Sequence, residues 1–477
     1  MAPANNPQRM KGQIVKKALH TAILLFVIGI LSAPLSAQKK PTETEPKTNF
    51  LLCMTDDQGW GDTSYNGHPE LKTPELDKMA AEALRFDRFY VAAPICSPSR
   101  GGFMTGRSPA RYGIKTYGYG LRPEEVTLGE LAKSAGYMTA HLGKWHLGPV
   151  KKDNPVNPHA QGFDHYVAHD NFYDIGQNLS DNGADPTPFE GETSDHLATI
   201  ALDFVKKAHD ANQPFLAVVW FPSPHNPHRG SEADVALYKD SKNKHYYAEL
   251  TGVDRAMGTL RRGLRDLRIA DNTRVLFCSD NGPTGPGIAG GLRGKKGSLW
   301  DGGLRVPGII EWPARIPKPA QTTIPATTMD LFPTIRAVLK EEKSLIGFKH
   351  DAPMDGINIL PLFAGEWKRR PTPIGFGMVS ATHVKGSWID GKYLKGWWRS
   401  FKMPRFKDPR DDFDGTRGVW LDNDFKLKDG RLYNLATDRE EKVDVANEYP
   451  EKLATMKDAL AKWQSNVTRS LCGDDYQ

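Results

Sequence analysis

Cysteine is scarce in this chain: Cys53, Cys96, Cys278 and Cys472 are the only four in 477 residues. That is too few for a disulfide framework at this length, although one disulfide stays possible, and it turns attention to cysteine reactivity. Long apolar runs are missing as well. The run Ala22 to Leu31 is about half of the roughly 20 residues that a bilayer-spanning helix needs, so no stable membrane span is expected. Arg9, Lys11, Lys16 and Lys17 precede that run and Leu35-Ser36-Ala37 follows it. This is the pattern of a secretory signal cleaved near Ala37, and it implies an exported protein, periplasmic or secreted. No cysteine follows the cleavage pattern to carry a lipid anchor. Nor is there an excess of one charge. Residues 1–37 hold four basic and no acidic side chains, so the formal charge falls from +6 to +2 once they are removed. No nucleic-acid partner is expected from that balance, and anion attraction would have to be local, in a cleft. An internal repeat and the full GxxxxGK[ST] pattern are also absent, which excludes a repeat architecture and a nucleotide P-loop.

What remains is the balance of a soluble globular protein, with 39% apolar and 25% charged residues and a mean hydropathy of −0.53. After the polar tether QKKPTETEPKT comes Asn49-Phe50-Leu51-Leu52-Cys53-Met54, a short apolar run that predicts a buried strand. Two more such runs are Pro214 to Phe221 and Thr273 to Ser279. Helix-like stretches lie between them at Thr73 to Leu84, Thr127 to Ala135, Ser194 to Ala208 and Tyr246 to Leu267. Alternation of this kind predicts an α/β fold with a large mixed, mostly parallel sheet sandwiched by helices. Ligands of such sheets sit beyond the carboxyl ends of the strands. Past about residue 372 the texture changes to short segments at Gly386 to Ile389, Lys392 to Lys395 and Gly430 to Leu435, then a helix from Pro450 to Ser465. The helix spaces Leu453, Met456, Leu460 and Trp463 to pack on a small antiparallel sheet. The expected organisation is a signal peptide (1–37), a tether (38–48), a catalytic α/β domain (49–371) and a C-terminal α+β subdomain (372–477).

Each of the three strand runs stops in polar chemistry: Asp56-Asp57, Pro222-Ser223-Pro224-His225 and Asp280-Asn281. Asp56, Asp57, Asp280 and Asn281 offer hard oxygen ligands from two strand ends, a set that favours calcium or magnesium over zinc; each pair could equally begin a turn. In Ile95-Cys96-Ser97-Pro98-Ser99-Arg100, Pro98 suits a first helical turn with Ser97 as its N-cap. Cys96 would then lie at a helix N-terminus, a place that favours anions, with Arg100 one turn on. On those grounds alone it reads equally as a packed small residue or a nucleophile.

Cys96-Ser97-Pro98-Ser99-Arg100 followed by Met104-Thr105-Gly106-Arg107 resembles the signature of the type I sulfatases, in the alkaline phosphatase superfamily. The resemblance runs from about Asn49 to about Ser465 and looks most like the arylsulfatase A and N-acetylgalactosamine 6-sulfatase branch. It implies an alkaline phosphatase-like fold, one Ca2+ ion and a formylglycine made from Cys96 by a formylglycine-generating maturation enzyme. Thr55-Asp56-Asp57-Gln58-Gly59 and Ser279-Asp280-Asn281-Gly282 look like the family's metal pairs, with the modified Cys96 completing the ligand set. Gly143-Lys144-Trp145-His146-Leu147-Gly148 is similar to the segment whose lysine and histidine meet the aldehyde hydrate and the sulfate. Ser223-Pro224-His225 is similar to the segment whose histidine contacts the leaving group. Arg293-Gly294-Lys295-Lys296-Gly297-Ser298 matches the loop with the last sulfate-binding lysine, where alignment favours Lys296 over Lys295.

The resemblance thus implies catalytic roles for Cys96, Arg100, Lys144, His146, His225 and Lys296. His225 with Lys296 would protonate the leaving oxygen, and His146 would take the proton that expels sulfate. The implied activity is hydrolysis of a sulfate monoester on a sulfated carbohydrate or aryl sulfate. A phosphonate monoester or phosphodiester hydrolase of the same superfamily, or a catalytically silent glycan-binding protein, are the alternatives. His165, His169 and Asp170 read either as a substrate subsite or as loop packing, and Trp397 and Trp398 as a sugar platform or core. Asn178-Leu179-Ser180 and Asn466-Val467-Thr468 are glycosylation acceptors only in a host that glycosylates.

Overall fold

The computed structural model describes Met1 and residues 47–114, 116–171, 178–377 and 418–476. Apart from Met1, Lys47 and Thr48, the signal and tether lie outside the described residues, as do the segments Gly386 to Ile389 and Lys392 to Lys395, and Trp397 and Trp398. Among those described, eleven strands form the large sheet: β1 (Asn49–Thr55), β2 (Leu84–Tyr90), β3 (Met138–Lys144), β4 (His165–His169), β5 (Asn178–Asp181), β6 (Thr187–Pro188), β7 (Phe215–Trp220), β8 (Thr273–Ser279), β9 (Arg305–Glu311), β10 (Ala320–Thr322) and β11 (Ala326–Thr327). Their order is β10-β2-β9-β8-β1-β7-β3-β4-β5-β6, with β11 also on β2. The five strands β8, β1, β7, β3 and β4 run parallel. β9 is antiparallel to β8 and β2, and β5 to β4, so the sheet is mixed and mostly parallel.

The three apolar runs are central strands because a parallel sheet covered on both faces has no solvent side for alternating polar residues. Every residue of β1, β7 and β8 is buried. Side chains alternate between two cores. Phe50, Leu52 and Met54 of β1 pack with Phe103, Leu131 and Phe332. Leu51 and Cys53 pack on the other face with Leu76, Leu197, Ala201, Val253 and Met257. The helices Cys96–Thr105, Leu128–Ser134 and Leu331–Glu341 therefore cover one face, and Pro74–Glu82, Thr193–Asp210 and Lys244–Asp266 the other.

A second sheet holds β12 (Ile374–Gly377), β13 (Gly418–Asp422), β14 (Phe425–Lys428) and β15 (Arg431–Asn434), antiparallel throughout. The closing helix runs Pro450–Leu471, past the expected Ser465, because Gln464, Val467 and Leu471 extend the buried stripe of Met456 and Leu460. Met456 and Leu460 pack on Trp420, Leu427 and Leu432 of the small sheet. The described residues from Lys47 onward pack as one unit. Among them no helix is long and apolar enough to cross a membrane.

One buried ion pair ties the approach to the small sheet into the large core. Arg370 donates from both terminal nitrogens to Asp330, at 2.7 and 2.8 Å, and neither side chain is exposed. Removing one partner of such a pair leaves an uncompensated buried charge. Arg370→Leu is expected to lower stability by about 3–5 kcal/mol in urea unfolding. Lys206→Ala, which breaks the exposed Lys206–Asp210 pair, is expected to leave the midpoint in place.

Candidate active site

β1, β3, β7 and β8 point their carboxyl ends to one edge of the sheet, and antiparallel β9 begins there. Asp56 and Asp57 follow β1, Lys144 ends β3, His146 lies two residues beyond, and His225 follows β7. Asp280 and Asn281 follow β8, and the loop ahead of β9 carries Lys296. The residues expected to act together are therefore delivered to one place by strand direction.

Cys96 joins them from a helix. The helix Cys96–Thr105 has Ile95, not Ser97, as its N-cap. Ile95 is extended, and its carbonyl already accepts the Ser99 N–H at 3.0 Å, so the ladder starts two residues earlier than the serine suggests. Pro98 still falls in the first turn, where its missing N–H costs nothing. Cys96 remains at the N-terminal end, with its Sγ 3.7 Å from Asp56 Oδ1.

Three carboxylates and three cations interlock here. Arg100 donates to Asp280 Oδ2 from Nε at 3.2 Å and from Nη2 at 2.8 Å, and its Nη2 lies 3.5 Å from Asp56 Oδ2. Its Nη1 donates to the Lys144 carbonyl at 3.2 Å. Lys144 bonds Asp56, and Lys296 bonds Asp57. Lys295 instead donates to the carbonyls of Gly285 and Gly287, at 3.3 and 3.2 Å. Arg100, Lys144 and His146 are buried, whereas Lys296 and His225 are only half-buried and form the solvent side.

Burial alone would push Asp56 up, but the positive charges of Lys144, His225, Arg100 and Lys296 together hold it well below the usual carboxylate range. Asp280 is raised to about 7 by burial and by the charge of Asp56. Burial pushes the Cys96 thiol up to about 12, more than Lys144 lowers it. In this setting the unmodified thiol stays protonated at neutral pH, and a thiol is a far weaker nucleophile than a thiolate. His146 is driven well below its ordinary value by burial and by Lys144 and Arg100.

Backbone strain gathers at the same place. Asp57 and His146 adopt left-handed φ of 66° and 55°, which β-carbon-bearing residues rarely take. Asp57 is held by its N–H to Asp280 Oδ1 at 3.1 Å, and His146 by its N–H to the Asp170 carbonyl at 3.0 Å. No sequence signal marked Asp170 as a backbone anchor, or Thr284, whose hydroxyl donates to Asp57 Oδ2 at 3.1 Å.

A metal fits this donor set. Asp56, Asp57, Cys96 and His225 each offer a ligand atom, all within 4.8 Å of one another. Asp280 stands one hydrogen bond behind Asp57. Asn281 donates to Asp57 Oδ1 at 2.7 Å, and its own Oδ1 is buried without a partner among the described residues. Carboxylate and amide oxygens around an unpartnered buried acceptor suit a hard cation. His225 Nδ1 bonds the Asn226 carbonyl at 2.7 Å, which turns Nε2 toward Asp57, 3.6 Å away.

The weaker candidates divide. His165 pairs with Asp181 at 3.2 Å, at the surface. His169 and Asp170 line a cavity of about 470 Å3 with Lys151, Lys152 and Asp153. Asn178 is exposed, whereas Asn466 lies inside the closing helix with its Oδ1 accepting from Arg111 at 2.7 Å.

The sulfatase family model matches residues 48–340. The chain is 33% identical over 364 residues to N-acetylgalactosamine-6-sulfatase of Canis lupus familiaris, over 68% of this chain and 67% of that one. With arylsulfatase A of Homo sapiens it shares 31% over 384 residues, 72% of this chain and 74% of that one. The crystal structure of Ps i-CgsB in complex with k-i-k-neocarrahexaose matches with a TM-score of 0.72 at 25% identity, covering 88% of this chain and 93% of that one. A family model spanning most of the large sheet, together with relatives a third identical over two thirds of the chain, makes this protein a member of the sulfatase family: a sulfuric ester hydrolase on an alkaline phosphatase-like fold.

Proposed function

We propose that this is an exported, calcium-dependent sulfatase that cleaves a sulfate monoester from a sulfated glycan after Cys96 is converted to formylglycine. The observation that carries the proposal is the position of Cys96, at a helix N-terminus, 3.7 Å from a carboxylate that Lys144 and Arg100 also engage. Burial disfavours a thiolate there, so the position suits a neutral hydroxyl nucleophile better than the unmodified cysteine.

Calcium held by Asp56, Asp57, Asp280 and Asn281 would draw charge from the sulfate oxygens, while the hydrated aldehyde at position 96 would supply the attacking hydroxyl. The chain's own residues divide the remaining work. Arg100 and Lys144, buried and fixed by Asp280 and Asp56, orient the hydrate and the sulfate from below. His225 and Lys296 sit on the solvent side, where a departing alcohol would be, so His225 Nε2 is placed to hold a proton for the leaving oxygen. His146 is buried, with Nδ1 unpartnered among the described residues, and is kept neutral by its surroundings, as a base must be. It takes the proton whose loss expels sulfate.

A glycan substrate is supported by the sugars in the relatives' names and by the adjoining cavity. At about 470 Å3 that cavity falls within the range of small-ligand pockets. Its wall residues His169 and Asp170 lend their carbonyls to the Trp145 and His146 N–H groups, at 2.9 and 3.0 Å, so the cavity abuts the catalytic segment.

Protein made alongside a maturation enzyme is expected to yield a Cys96 peptide about 18 Da lighter than the thiol form by mass spectrometry. A persistent thiol would overturn the proposed chemistry. His225→Ala is expected to lower kcat/KM about 10²- to 10⁴-fold, with the larger losses on sulfates of poor leaving groups. A chelator should abolish turnover of an aryl sulfate and added calcium should restore it. Faster turnover of aryl phosphonates than of aryl sulfates would instead favour a phosphonate hydrolase.

A further inference from the structure

Asp301 stands apart from the cluster of acids and bases at the sheet edge, yet it is fully buried and belongs to the segment against which the Lys296 loop folds. Gly302 N–H donates to the Arg293 carbonyl at 2.7 Å, and Ser298 N–H to that of Lys295 at 3.0 Å. There is no slack in this turn. A Cβ on Gly302 would lie 2.1 Å from the Gly294 oxygen, and one on Gly303 would lie 2.0 Å from the Ser298 oxygen. The same backbone meets the turn after β8, where Gly282 N–H donates to the Gly303 carbonyl at 3.0 Å. Residues 301–303 thus contact both the Lys296 loop and the turn that carries Asn281, and the loop is tied in addition by the Lys296 N–H to the Pro283 carbonyl at 3.2 Å and the Gly297 N–H to the Pro94 carbonyl at 2.7 Å.

Three side chains hold Asp301 in place. Tyr90 Oη donates to its Oδ2 at 2.9 Å, Lys426 Nζ donates to its Oδ1 at 2.8 Å, and Glu441 Oε2 accepts its N–H at 2.7 Å. Lys426 Nζ also lies 2.7 Å from Glu441 Oε1, and the Glu441 carbonyl accepts from Arg293 Nη1 at 2.7 Å. Lys426 belongs to β14 of the small sheet, and Glu441 to the turn after β15. Both are wholly buried. Buried ion clusters of this kind often stabilise no more than an apolar packing would, but removing one member leaves an uncompensated buried charge that the surroundings must move to relieve.

We propose that Lys426 and Glu441 are positioning residues for sulfate ester hydrolysis: by clamping Asp301 they set the loop that brings Lys296 to the reacting sulfate. The proposal rests on the role given above to Lys296. In it the small sheet is part of the catalytic apparatus, since it supplies the buried charge that orients a loop of the large sheet.

The test is steady-state kinetics of the matured enzyme on aryl sulfates of rising leaving-group pKa. The variants are Lys426→Gln, Glu441→Gln and Lys296→Ala, with each of the first two also combined with the third. Circular dichroism confirms folding. Tyr90→Phe, which removes one hydroxyl from the same clamp, serves if the Lys426 variant does not fold. Clamp variants are expected to lose up to about 100-fold in kcat. That loss should grow with leaving-group pKa as it does for Lys296→Ala, and should shrink to within about 2-fold on the Lys296→Ala background. Folded clamp variants with wild-type kcat, or with losses independent of the leaving group that multiply those of Lys296→Ala, would overturn the clamp alone. A Lys296→Ala enzyme with unchanged kcat would overturn the role of Lys296 and the clamp's purpose with it.

Discussion

The structure depends on one electrostatic constraint, that Asp56, Asp57 and Asp280 share one buried edge. Carboxylates this close, away from water, repel strongly unless cations stand between them. Arg100 answers Asp280 and Asp56, Lys144 answers Asp56, and Lys296 answers Asp57. These cations come from a helix, from the end of β3 and from a loop ahead of β9. Lys296 lies 239 residues from Asp57 along the chain. Neutrality at the site is therefore a property of the whole sheet, and the strand order is what makes it achievable.

The layering of the charges bears on function. Arg100 and Lys144 are the most buried cations, and the half-buried pair, His225 and Lys296, lies on the solvent side, where the proposed reaction would admit its substrate and release the alcohol. Rigid support sits beneath. Arg100 lies 4.9 Å from the Trp220 ring, and that indole packs edge-on to Phe103 of the Cys96 helix. The left-handed backbone at Asp57 and His146 costs roughly 1–3 kcal/mol at each position. Both residues are tied to neighbouring strand ends, which is the condition under which such strain persists.

Several motif residues serve packing, not chemistry. Gly106 closes the Cys96 helix at φ 71° with its N–H on the Gly102 carbonyl, and Gly102 leaves room for Ala92, whose Cβ would sit 2.2 Å from an added one. Arg107 pairs with Asp475 and Glu125 away from the active edge. A signature such as Cys96 to Arg107 thus mixes the proposed reacting groups with the residues that shape their helix.

The central strands, the helices between them and the closing helix could be read from the sequence. A strand buried on both faces must be apolar throughout, and an amphipathic helix must repeat near 3.6 residues. The residues that end those strands could be read too, because Asp56-Asp57, His225 and Asp280-Asn281 interrupt apolar runs. Local pattern failed where competing local rules had to be weighed: Ser97 looked like a cap, but the extended Ile95 took that position. Only the tertiary structure decided that Lys296 and not Lys295 reaches the carboxylates, that Asp170 and Thr284 support the site, and that Lys426 and Glu441 grip Asp301. Those contacts join residues with no local relation, through distances that exist only once the strands have taken their order.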